Sequence, residues 1–179
     1  MKTAFLTLFA ILLLTGWAFA ADSPTDMGST IIGGNAFLSV ESAEGSSFTT
    51  ISLMPTIGYF VSSGFMLGGS ISLLSLSSGG ANATVFGIGP EIRYYFKKNN
   101  FVQNIKGSTY SFMGAFVSML SESGSDDNLT QFGAVVGFDQ MMSEHLSSEF
   151  QFRIFKSLYS GGFDTTTLYF GIGITGFLY

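Results

Sequence analysis

Alternation is the feature that most constrains this chain. From Thr49 to Val61 the odd positions are Thr49, Ile51, Leu53, Pro55, Ile57, Tyr59 and Val61, and the even positions include Thr50, Ser52, Thr56 and Gly58. From Thr84 to Phe96 the even set is Phe86, Ile88, Pro90, Ile92, Tyr94 and Phe96, opposed by Val85, Gly87, Gly89, Glu91, Arg93 and Tyr95. From Leu146 to Ile154, Leu146, Phe150, Phe152 and Ile154 oppose Ser147, Glu149, Gln151 and Arg153. A period of two puts each set on one face of a strand. The charged residues fall on the less apolar face each time.

The segment ahead of these strands reads as an export signal. Lys2 is its basic start, Ala4–Leu14 its apolar core, and Ala18-Phe19-Ala20 a small-x-small cleavage site before Ala21. The core is about eleven residues, short of the roughly 20 that a spanning helix needs. The expected domains are a cleaved signal at 1–20 and one domain at 21–179, exported through the Sec pathway. Trp17 is the only tryptophan. The processed protein should therefore show tyrosine but no tryptophan emission, a check that needs only a fluorimeter.

Composition then narrows the architecture. Apolar residues make up 46% of the chain and charged residues 11%, yet no run after Leu14 stays apolar for 18 residues. An exported chain this apolar, without a membrane helix, satisfies its backbone in lipid only as a closed barrel. The expected class is all-β, an eight-stranded antiparallel up-and-down transmembrane barrel. The strands are predicted at 30–41, 48–61, 65–77, 83–97, 107–121, 129–141, 146–158 and 165–179. Eight is the smallest common size for such a barrel. Connectors at Glu41–Ser47, Ser77–Asn82, Glu122–Asn128 and Ser160–Asp164 are rich in Gly, Ser and Asp. Ser62–Gly64 and Met142–Glu144 are tight turns, and Lys97–Gly107 is longer and basic.

Aromatic girdles are expected at both rims. Tyr59, Phe60, Tyr94, Tyr95, Phe96, Tyr110 and Tyr179 would mark the periplasmic one, and Phe37, Phe48, Tyr159 and Phe163 the other. Pro55 and Pro90 fall inside strands, where a missing donor predicts bulges. Strand five is apolar on both faces, which leaves its register open.

Several functions are disfavoured. With no Cys and a single His, no transition-metal cluster is expected. Asp126-Asp127-Asn128 lacks the spacing of a calcium loop. The net charge is −5, against nucleic-acid binding, which draws on clustered Lys and Arg. The Gly-rich stretches Gly68-Gly69, Gly87-Ile88-Gly89 and Gly171-Ile172-Gly173 lie within strands and are not phosphate loops. No cofactor is expected.

Met54-Pro55-Thr56-Ile57-Gly58-Tyr59-Phe60-Val61 with Met66-Leu67-Gly68-Gly69 resembles the first complete hairpin of the small outer-membrane β-barrel domain family, of OmpA/OmpX type. Gly89-Pro90-Glu91-Ile92-Arg93-Tyr94-Tyr95-Phe96 resembles its fourth strand, and Gly137-Phe138 through Leu146 to Glu149 its sixth turn and seventh strand. The resemblance implies a Gram-negative outer-membrane location, in contact with membrane lipid and lipopolysaccharide. It also implies delivery by periplasmic chaperones and insertion by the barrel-assembly machinery. That machinery reads a final strand ending in an aromatic residue, a signal matched by Phe177 and Tyr179. The apolar residues Leu168, Phe170, Ile172 and Ile174 lie on the other face, so an irregularity is expected near Gly176.

The interior of so small a barrel is filled by side chains. Its predicted polar network is Glu91, Arg93, Gln131, Glu149, Gln151 and Arg153, with Glu91/Arg93 and Glu149/Arg153 as ion pairs closing the lumen. The expected role is structural or interactive. The alternative is a narrow channel for small or apolar solutes. A lipid A-modifying enzyme is the weakest reading: His145-Leu146-Ser147, with Glu149 nearby, echoes the His-x-Ser spacing of lipid A deacylases, but the His falls in a periplasmic turn. No catalytic residue is assigned.

Overall fold

The computed structural model describes residues 23–43, 46–78, 81–96, 106–122, 128–159 and 164–179. Eight strands, β1 (Thr30–Ala43), β2 (Ser46–Ser62), β3 (Phe65–Ser78), β4 (Ala81–Tyr95), β5 (Thr109–Glu122), β6 (Asn128–Met141), β7 (Leu146–Tyr159) and β8 (Asp164–Leu178), follow one another around a closed antiparallel barrel. The predicted boundaries hold to within about two residues, and the strands run further into the far connectors than expected. β1 ends at Ala43 and β2 starts at Ser46; β3 ends at Ser78 and β4 starts at Ala81. Among the described residues no helix is long and apolar enough to cross a membrane.

Alternation sorts side chains as the sequence implies. Ile51, Leu53, Phe86, Ile88, Ile92, Phe152, Ile154, Phe170 and Ile172 are large, apolar and exposed, whereas Ser52, Glu91, Arg93, Gln151 and Arg153 on the same strands are buried. β5 obeys the rule with apolar residues both ways: Met113, Val117 and Met119 point out, and Phe112, Phe116 and Leu120 point in.

At the end where β1 begins and β8 finishes, an apolar plug fills the interior. Ile31, Phe60, Met66, Tyr95, Phe112, Val135, Met141 and Phe177 pack together, with Tyr110 and Tyr179 against them. The segment from Ser23 to Ser29 folds against the same end. Gly28 N donates to Phe60 O (3.0 Å), Phe60 N to Ser29 O (2.9 Å) and Gly64 N to Thr25 O (2.7 Å). Gly64 closes the β2–β3 turn at φ 79°, where a Cβ would also lie 2.7 Å from Tyr95 O. Both conditions select glycine.

Four expectations need correction. No register shift occurs at Pro55: the β2–β3 ladder passes from Leu53↔Leu73 to Thr56↔Ser70 unchanged, and its irregularity lies between Phe60 and Ser62. The β4–β5 ladder likewise passes from Ile88↔Met119 to Glu91↔Phe116 across Pro90. A proline removes one donor on one side of its strand, and each keeps its opposite partner, Gly34↔Pro55 and Gly69↔Pro90. Pairing also continues through Gly176, as Leu146↔Gly176 on one side and Ile32↔Gly176 on the other. The near-end girdle is split by parity, Tyr94 and Phe96 facing out while Phe60 and Tyr95 turn inward. The side chains of Phe48 and Tyr159, and all of Phe163, lie outside the described residues.

Candidate functional site

Above the plug, toward the far end, β4 and β7 deliver a charged belt. Glu91 and Arg93 are two residues apart and share the inward face of β4; Glu149, Gln151 and Arg153 do the same on β7. Their heads meet across the lumen. Arg153 Nη2 lies 2.9 Å from Glu91 Oε2, Glu91 Oε1 is 2.5 Å from Arg93 Nε, and Arg93 Nη1 is 3.0 Å from Glu149 Oε2. Cation and anion therefore alternate in one chain spanning the barrel from β7 to β4 and back.

Side chains from other strands complete it. Asn35 Nδ2 of β1 donates to Glu149 Oε1 (2.8 Å), and Thr175 Oγ1 of β8 donates to Glu149 Oε2 (2.7 Å). Arg153 Nε donates to Gln151 Oε1 (3.1 Å). On β5, Phe112 and Phe116 supply ring faces to the two arginines, with the guanidinium carbons of Arg93 and Arg153 at 4.5 and 4.7 Å from the respective centroids. Such contacts contribute about 0.5–2 kcal/mol, more when desolvated. Two cations balance two anions, which is the condition for keeping ionised groups out of water.

Glycine on the surrounding strands makes room for these long side chains. A Cβ on Gly171 would come within 3.3 Å of Gln151 Cγ, one on Gly173 within 2.7 Å of Asn35 Oδ1, and one on Gly137 within 2.6 Å of the Phe112 ring. The belt occupies volume that the glycines leave open.

A third acid borders the belt. Asp139 on β6 sits directly opposite Glu149 on β7. Its Oδ1 accepts a 2.6 Å bond from Ser147, while its Oδ2 is buried without a partner. Tyr95 joins belt to plug: its hydroxyl is 3.5 Å from Arg93 Nη1, and its ring packs on Phe60 and Phe112.

Of the residues singled out from the sequence, Glu91, Arg93, Glu149, Gln151 and Arg153 come together. The expected Glu91–Arg93 pair forms, but Arg153 reaches Glu91 rather than Glu149, and Arg93 spans directly to Glu149. Gln131 stands apart, donating to Ser157 Oγ (3.1 Å) nearer the far end. Asn35, Tyr95, Asp139, Ser147, Thr175, Phe112 and Phe116 are additions. Strand parity places each of them inward, but the sequence carries no signal of which would touch the charges.

Phe177 is fully buried in the plug, and Tyr179 at the rim donates from its hydroxyl to Glu144 O (2.8 Å). His145 is exposed, with its ring against Tyr179 and its Nδ1 3.2 Å from Phe177 O. Ser147 is buried and committed to Asp139. Ala18, Ala20 and Ala21 lie outside the described residues. Among the described residues there is no group of three or more His, Cys, Asp or Glu side chains that could hold a metal ion.

Fold and interior together define the class: a small, closed up-and-down barrel, apolar outside and charged within. No protein-family model matches the chain, and no curated protein matches it in sequence. In structure it is similar to Neisserial surface protein A, with a TM-score of 0.58 and 14% identity over 83% of this chain and 96% of that one. It is also similar to the outer membrane protein OprG from Pseudomonas aeruginosa, with a TM-score of 0.49 and 14% identity over 88% and 100%. At such identity the likeness to Neisserial surface protein A speaks to the eight-stranded fold.

Proposed function

We propose that this chain is an integral protein of a bacterial outer membrane, with a structural or interaction role and a lumen closed to solutes. The ion chain Arg153–Glu91–Arg93–Glu149 carries this reading, because it crosses the interior above a solid apolar plug. The exterior supports the location: exposed Ile, Leu, Phe and Met side chains occur on all eight strands, as a surface in contact with acyl chains requires. Outer-membrane lipid and lipopolysaccharide are then its surroundings. Export through the Sec pathway, periplasmic chaperones and the barrel-assembly machinery belong to the same proposal, as do cleavage before Ala21 and an assembly signal at Phe177 and Tyr179. A non-enzymatic role is supported by Ser147, whose hydroxyl is buried on Asp139 while His145 stays exposed on the rim.

The test combines two measurements on the processed protein. In gels the unboiled membrane fraction should migrate differently from the boiled sample. Reconstituted into planar bilayers, it should give no stepwise conductance. A monodisperse, detergent-free protein in periplasmic extract would overturn the location. Regular conductance steps would replace the closed lumen with a narrow channel.

A further inference from the structure

The sealed interior holds one acid more than its bases can balance. Among the described residues its buried acidic and basic side chains are Glu91, Asp139 and Glu149 against Arg93 and Arg153. Both guanidinium groups are committed, Arg153 to Glu91, and Arg93 to Glu91 and Glu149. Asp139 is 0% exposed and forms an ion pair with neither. Its surroundings offer no other positive charge. Directly across the ladders it faces Glu149 on β7 and Tyr110 on β5. Tyr95 and the already paired Arg93 approach from β4. His145, in the β6–β7 turn, is exposed and packs its ring on Tyr179.

An ionised carboxylate buried without a counter-charge is so costly that the group takes up a proton instead. Two carboxylates sharing one site do not both ionise. The hydrogen bonds agree with this count of charges. Ser147 Oγ lies 2.6 Å from Asp139 Oδ1 and 3.3 Å from Thr175 O. A backbone carbonyl only accepts, and a hydroxyl has one proton to give. Against an ionised Asp139, Ser147 can therefore serve only one of the two contacts. Against a protonated Asp139 it serves both, because the acid donates to Ser147 and Ser147 donates to Thr175 O.

We infer that Asp139 is a proton-binding site, un-ionised at neutral pH in the folded barrel, which keeps the sealed interior electrically neutral and hands its hydrogen bond through Ser147 to the Thr175 carbonyl. With the proton bound, two cations face two anions. Its loss sets a third anion opposite Glu149 and makes the barrel sensitive to pH. The sign follows from linkage. An unfolded aspartate releases its proton at about pH 3.9, so above that, until the folded barrel releases it too, the folded state binds more protons and stability falls as pH rises. This requires the closed interior and not the membrane location.

Infrared spectra of the folded, processed protein in ester-free detergent micelles read this proton directly. At neutral pH the C=O stretch of an un-ionised carboxylic acid should be present and should move on transfer to heavy water. It should shift when the aspartate carboxyls carry ¹³C, and it should be missing from Asp139→Asn. The asparagine amide donates to Ser147 as the protonated acid does. Asp139→Asn should therefore match the parental urea midpoint in mildly acidic buffer and exceed it in mildly alkaline buffer. If the folded parent lacks the band, Asp139 is ionised and the site is wrong. A band that ignores the aspartate label puts the proton on a glutamate and is equally fatal to the assignment, as is a variant midpoint that tracks the parent's in both buffers. The labelled parent decides the matter even if Asp139→Asn does not fold, and neither result bears on where the barrel resides.

Discussion

Arg93→Met will cost this barrel about 3–5 kcal/mol, the usual loss when one partner of a buried ion pair is removed. Arg93 touches both Glu91 and Glu149 and lies over the Phe112 ring. Methionine approximates its stem but leaves Glu149 with only Asn35 and Thr175 as partners, facing Asp139. The quantity to measure is the urea midpoint for loss of the fast-migrating, unboiled band in phospholipid vesicles. Adding Glu149→Gln to Arg93→Met should recover part of the loss, because the unpaired charge is what destabilises. Residues in direct contact couple by about 0.5–3 kcal/mol. Additivity of the two changes, or an unshifted midpoint for Arg93→Met, would show the groups to be independently solvated and the belt to be no network.

Gly89→Val is expected to abolish the folded band. A Cβ at Gly89 would overlap the carbonyl oxygen of Val117, and would also lie 2.6 Å from Ser118 Cα and 2.7 Å from the Val117 carbonyl carbon. All three are backbone atoms of β5, so no side-chain rotation relieves the clash and the strands must separate. Overpacking costs typically about 1–3 kcal/mol even where neighbours can shift, and more where they cannot. Gly69→Ala provides the contrast. Its nearest contact would be Gly89 O at 3.3 Å, and the folded band should persist with a midpoint close to the parent's. Folding of Gly89→Val at the parental midpoint would mean that β4 and β5 are less closely apposed than described.

The two glycines also show what a linear sequence conveys. Both sit in Gly-containing strand stretches that look alike, Gly68-Gly69 and Gly87-Ile88-Gly89, but of the two only Gly89 is pressed tightly on a neighbouring backbone. That difference depends on how strongly the sheet coils at each point. The same holds for Pro55 and Pro90. Each reads as a break in a strand, yet each loses a donor on one side only, and the ladder resumes in register.

The sequence alone determined the strands and their two faces, because alternation is a property of adjacent residues and needs no knowledge of neighbours. It accordingly placed Glu91, Arg93, Glu149, Gln151 and Arg153 inside. Closure of the barrel decided which of them meet: Arg93 finds Glu149 and Arg153 finds Glu91 across 56 and 62 residues of chain. It also turned the inward phenylalanines of β5, which had only obscured that strand's register, into platforms for the two arginines. The β1–β8 joint, paired only from Thr30↔Leu178 to Ala36↔Ile172, is likewise a product of closure. Both strands there are regular in sequence, and whether their edges meet depends on the stagger accumulated around the other six.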